Sequence, residues 1–105
     1  SKIFSKKIAQ NINRLSYALD LQQVDATLDL LDCIAKLEIK VDIAEAQSYY
    51  FSKIVANLEE IIQKISCQAD RDLIVMLFEI GEDLNINMDY YRQMFNRALV
   101  SSKED

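Results

Sequence analysis

The chain has 105 residues, half of them apolar, with one Gly, no Pro, no His and a net charge of −5. That is one domain's length with material for a core, and the near-absence of both turn-forming residues points to helices on short connections rather than to sheets. The acidic balance argues against a phosphate-backbone or anionic-membrane partner, the missing imidazole removes Ser-His-Asp and Cys-His catalysis, and no run approaches the about 18 apolar residues of a membrane span.

The spacing predicts a first helix over residues 3–19, with Phe4, Ile8, Ile12, Leu15 and Leu19 as its apolar stripe. Lys7, Asn11 and Arg14 fall on the opposite side. They read as a solvated face in preference to an anion or nucleic-acid contact. Residues 20–23 are a short break, and a second helix is expected from Gln22 or Gln23 to Leu37. Val24, Leu28, Leu31 and Ala35 form one row and Leu30, Ile34 and Leu37 another, wide enough to touch neighbours on two sides. Asp25, Asp29 and Asp32 line its outer face. With no His, and with calcium loops needing a Gly-turned loop, they too read as solvated, and no metal or cofactor is expected.

Leu37 to Asp42 alternates apolar and polar residues, the pattern of an extended link with one side buried. The long third helix, residues 42–65, is the expected centre of the fold. Ile43, Ala46, Tyr50, Ile54, Leu58, Ile61 and Ile65 form its main stripe, and Phe51, Val55 and Ile62 widen it. Asp42 and Glu45 have the spacing of a capping box. A fourth helix is expected from Ala69 or Asp70 to Leu84, with Ser66, Asp70 and Asp72 as available caps and Gly81 marking a close helix crossing. After the link LNINMD, Asp89 is expected to cap a last helix, Tyr90 to about Val100, and the tail SSKED to fray. Leu37, Ile39, Val41 and Asp42 match Leu84, Ile86, Met88 and Asp89 at an offset of 47 residues, which suggests one helix–link–helix hairpin used twice.

Cys33 and Cys67, the two cysteines, lie in helical patterns among aliphatic residues and read as buried free thiols; a disulfide would need their helices side by side. There is no glycine-rich loop or Cys-x-x-Cys, and Glu59 and Glu60 point about 100° apart on a helix. Gln47 sits on the stripe expected to be buried, where its amide needs partners. The backbone of the extended link can supply them; a ligand or partner contact is the other reading. Tyr49 with Tyr50, and Tyr90 with Tyr91, form pairs in which one ring should be core and the other half-exposed. Tyr49 and Tyr90 then either cover core edges or anchor a protein interface.

The run LLDCIAKLEIKVDIAEAQSYYF resembles the C-terminal helical region that follows the catalytic barrel in bacterial proteins similar to glycoside hydrolase family 57. The elements carrying the resemblance are a leucine-rich helix (Leu30–Leu37), a link of the L-x-I/L-x-V/L-D kind (Ile39–Asp42), and the helix start Ala46, Gln47, Tyr49 to Phe51, with a fainter echo from Leu77 to Phe95. It implies a helical module packed on a catalytic domain, with the catalytic carboxylates in a barrel and none here. Ser1 in place of Met suits a piece of a longer chain, or a small protein that lost its initiator Met.

The expected architecture is all-α. Residues 1–105 form one compact bundle of about five helices, with two helix–extended link–helix hairpins around a long central helix. The expected role is a non-catalytic accessory or interaction module whose partner is protein, either its own further domains or a second subunit. The alternative is a stand-alone cytoplasmic adaptor that dimerises and offers a helical groove to a partner; SKIFSKKIAQ lacks a secretory signal core.

Overall fold

The computed structural model describes residues 2–104, and the side chains of residues 2–101. The fold is all-α: α1 (Lys2–Leu15), α2 (Leu21–Lys36), α3 (Ala44–Lys53), α4 (Leu58–Gln63), α5 (Gln68–Asp83) and α6 (Asp89–Glu104). Five of these helices have ten residues or more. The last helix overruns its expected end at Val100 and continues through Ser101–Glu104; Asp105, the end of the tail expected to fray, lies outside the described residues. No helix among the described residues is long and apolar enough to cross a membrane.

The first helix stops four residues early. Ser16 donates both its amide and its hydroxyl to the carbonyl of Asn13, and the Tyr17 amide reaches Arg14, so the chain tightens into a turn. Asp20 then caps α2, its Oδ1 accepting from the Gln23 amide at 2.8 Å.

The expected 24-residue central helix is interrupted. After Lys53 the chain passes through a 3₁₀ turn, Val55–Asn57, before α4 begins. The Asn57 side-chain amide donates to the Lys53 carbonyl at 2.8 Å, while its backbone amide bonds Ile54 three residues back. In a 3₁₀ turn, residues three apart eclipse. Val55 and Leu58 both turn inward beside Ile54, and all three are buried. The same break uncouples Phe51 from Val55, and Phe51, expected in the second apolar row, is 61% exposed. The segment still lies at the centre: α3 packs on α1, α4 packs on α6, and Tyr50 reaches α5.

The 47-residue correspondence extends beyond the links. α2 and α5 are both 16 residues long, and both of their ends are related by that shift. They pack on each other, and the α1·α3 contact is matched by α4·α6. Both helices end in the same two-bond cap. In the first, Glu38 lies in the left-handed region (φ 53°), its amide on Ala35 and the Ile39 amide on Ile34 at 3.1 Å. In the second, Asn85 (φ 61°) bonds Glu82, and Ile86 bonds Gly81 at 2.9 Å.

The expected aspartate caps are corrected. Asp42 forms no capping box; its Oδ1 accepts from the Ala44 amide at 3.0 Å, and Glu45 instead accepts from the Tyr49 hydroxyl. At the second link the matching acceptor is Asn87, whose Oδ1 takes the Asp89 amide at 2.9 Å, while Asp89 is the first residue of α6. The second link reaches its helix two residues sooner, so the local turn, not the shared Asp, is the equivalent feature. Asn87→Ala should cost about 1 kcal/mol of unfolding free energy, and Asp89→Ala about half that through the helix dipole, in parallel urea melts.

Gly81 makes room for a link residue rather than for a helix crossing. A Cβ on it would meet Met88 Sδ at 2.6 Å and Cγ at 2.9 Å, and Met88 is buried. Leu37, counted among the inward residues, is 64% exposed, whereas its counterpart Leu84 is fully buried.

Candidate functional site

An open groove of about 540 Å³ lies between α1 and the start of α3. Its α1 wall carries Lys2, Lys6, Gln10 and Asn13, with Ala9 beneath; its other wall carries Asp42, Glu45 and Tyr49. The apolar stripe of α1 is turned into the core at Ile8, Ile12 and Leu15, which leaves the flank with Lys2 and Lys6 as the groove's edge. Ser5 ties the walls together, its Oγ accepting from the Asp42 amide at 2.8 Å. The Tyr49 hydroxyl donates to Glu45 Oε1 at 3.1 Å. That carboxylate, by hydrogen bond and by charge, holds the phenol above its ordinary pKa. The groove therefore has a cationic and an anionic wall, with a phenol held neutral at one end.

Of the three residues singled out from the sequence, only Tyr49 lines this groove. Gln47, half-buried, points away from it, its Nε2 donating to the Leu84 carbonyl at 2.6 Å, the C-cap of α5. Its partner is backbone at a helix–link junction, but in the second hairpin rather than beside its own helix start. Tyr90 is 61% exposed on α6, edge-on to Tyr91 with centroids 5.2 Å apart. The ring pairs divide as expected in α3, where Tyr50 is buried and Tyr49 half-buried.

Cys33 and Cys67, expected to be buried, are both exposed free thiols. Cys33 falls outside the inward rows of α2, and Cys67 is the N-cap residue of α5. Among the described residues no three His, Cys, Asp or Glu side chains converge as a metal site. Comparison of the chain with protein-family models, curated proteins and solved structures finds no match.

A second, smaller concavity of about 340 Å³ lies under the first link. Ile8, Leu31, Ile34 and Ile39 line it, and the carboxylates of Asp32, Glu38 and Asp83 border it. Burial first, and then the charges of Asp32, Glu79 and Glu82, push the Asp83 carboxyl above its ordinary pKa. The groove residues the sequence reading missed are the Lys2–Lys6 flank and Ser5. The signal is present in the sequence, since residues 1–19 contain four Lys or Arg and no Asp or Glu, although the basic face expected from the spacing is the Lys7–Arg14 side.

The second hairpin is clamped away from the groove. Arg92 of α6 makes a two-pronged pair with Glu82 of α5, Nε to Oε2 at 2.9 Å and Nη2 to Oε1 at 2.6 Å, and lies 5.1 Å from the Phe78 ring centroid. The Arg92 hydrogen bonds hold the Glu82 carboxyl below its ordinary value. A depressed folded-state pKa means that this stabilisation is complete above the unfolded value near 4.5 and fades as the pH falls through the folded one. Both partners are more than a third exposed, so Glu82→Gln should cost only about 0.5 kcal/mol at neutral pH. In paired urea titrations the difference from wild type should shrink as the pH falls below the unfolded value and vanish once it has passed through the folded one.

Proposed function

We propose that the chain is a non-catalytic helical interaction module that receives a partner protein along the α1–α3 groove. The observation that carries this reading is the opposed pair of walls, Lys2 and Lys6 facing Asp42 and Glu45. Separated rows of opposite charge favour a polypeptide, which can present a carboxylate to one side and an amine to the other in a fixed register. Tyr49 supplies a ring with one polar edge, the kind of side chain that anchors interfaces. The resemblance of residues 30–51 to the helical region of family 57-like glycoside hydrolases supports a partner of a particular kind, the catalytic domain of a carbohydrate-active enzyme.

The test is site-specific photocrosslinking in the source cells, with the crosslinker at Tyr49 and, as a control, at Val75 on α5. One discrete protein adduct from position 49, absent from position 75 and lost with Lys6→Glu, is the expected result. Adducts of equal pattern at both positions, or none at position 49, would overturn the reading.

A further inference from the structure

Two helix faces, one on α1 and one on α2, carry charge that the groove does not use. Lys7 and Arg14 of α1 are exposed, and so are Asp25 and Asp32 of α2. None of the four belongs to an ion pair among the described residues, whose two salt bridges are Lys64–Glu60 and Arg92–Glu82. Each pair is separated by seven residues, two turns of helix and about 10.5 Å of rise. Between them stand Asn11 and Asp29 at matching positions, so α1 has a Lys-Asn-Arg row and α2 an Asp-Asp-Asp row with the same i, i+4, i+7 spacing. The imbalance is regional as well as local. Residues 1–19 hold four cations and no acid, which leaves eight cations against seventeen acids in the rest of the chain. Carboxylates three and four apart on one helix repel each other. Asp32 adds to this through its effect on Asp83. A cationic row laid along α2 would relieve both.

We infer that the partner for these two rows is a second copy of this chain. The basic row of α1 lies antiparallel along the acidic row of α2 in the other copy, and the reciprocal contact is made at the same time. Lys7 then faces Asp32 of the other copy and Arg14 faces its Asp25. Because α1 and α2 are packed neighbours in one chain, the same pair of contacts made in both directions closes a twofold dimer. This pairing leaves the Lys2–Lys6 flank outside the matched rows, so it goes beyond the groove reading and does not depend on it.

Sedimentation equilibrium of the full chain at about 20 mM and about 500 mM NaCl tests the inference, since exposed charge pairs are screened over this range. The dimer dissociation constant should rise at least tenfold with salt. Lys7→Glu/Arg14→Glu should be monomeric at low salt, and so should Asp25→Lys/Asp32→Lys. An equimolar mixture of the two should form a heterodimer, and the chain carrying all four substitutions should dimerise again. Circular dichroism checks that each variant remains helical; a variant that unfolds is replaced by Lys7→Ala/Arg14→Ala or Asp25→Asn/Asp32→Asn, for which a rise of at least tenfold in the same constant is expected. A wild-type monomer at low salt, or a dimer indifferent to the α1 reversal, would overturn the inference and leave the crosslinking result at Tyr49 untouched.

Discussion

Tyr50→Ala is expected to lower the unfolding free energy by about 4 kcal/mol, against about 1 kcal/mol for Tyr50→Phe. Tyr50 is fully buried, and its hydroxyl donates to the Leu77 carbonyl inside α5. Truncation to alanine removes the ring from the point where α3 meets α5 and leaves a cavity. Phenylalanine keeps the ring and loses one hydrogen bond, while Leu77 keeps its own helical acceptor role. Urea melts with unchanged slope would measure both, against the 5–15 kcal/mol usual for a whole domain. A cost below about 1.5 kcal/mol for the alanine variant would mean that the α3–α5 contact is not a centre of the core. The phenol adds a pH signature. Burial pushes its pKa up, so the neutral form is favoured in the fold, and stability is complete below the unfolded value near 10. It is lost as the pH rises above that, and Tyr50→Phe should show a shallower alkaline loss.

The fold class and most helix boundaries were legible because they rest on period and composition. One Gly and no Pro leave little but helices, and the stripe through Ile8, Ile12 and Leu15 is buried as its spacing implies. What failed depended on single hydrogen bonds. Nothing in the apolar period of residues 42–65 reveals that the Asn57 side chain will take the Lys53 carbonyl, and that one bond accompanies the break that puts Phe51 in solvent. Cap chemistry failed for a related reason. Asp42 and Asp89 match in sequence, but the turn is set by the distance from the preceding helix end, and this selects Asn87. The candidate groove was half legible. Tyr49 was found through its aromatic pair, whereas the Lys2–Lys6 wall depends on which flank of α1 meets α3, a tertiary fact. The cysteines illustrate the limit of neighbour-based inference: aliphatic flanks said buried, and the helix rotation exposed both.

The repeat makes a sharper prediction than any single contact. In the first hairpin the cap position and the link residue are Ile34 and Val41, large and then small; in the second they are Gly81 and Met88, with the bulk exchanged. Placing isoleucine at position 81 alone should cost about 3 kcal/mol. Even its Cβ would stand 2.6 Å from Met88 Sδ and 2.9 Å from Cγ, and the buried Met88 has no solvent to retreat into. The better helix propensity of isoleucine returns only about 0.5 kcal/mol. Met88→Val alone should cost about 1 kcal/mol, since it opens a void above the glycine. The double variant Gly81→Ile/Met88→Val installs the first hairpin's pair in the second hairpin and should lie within about 1 kcal/mol of wild type. That gives a coupling of at least 2 kcal/mol in a double-mutant cycle. Costs that simply add would show that Gly81 is not small on account of Met88. The two hairpins would then share a backbone cap without sharing a packing rule.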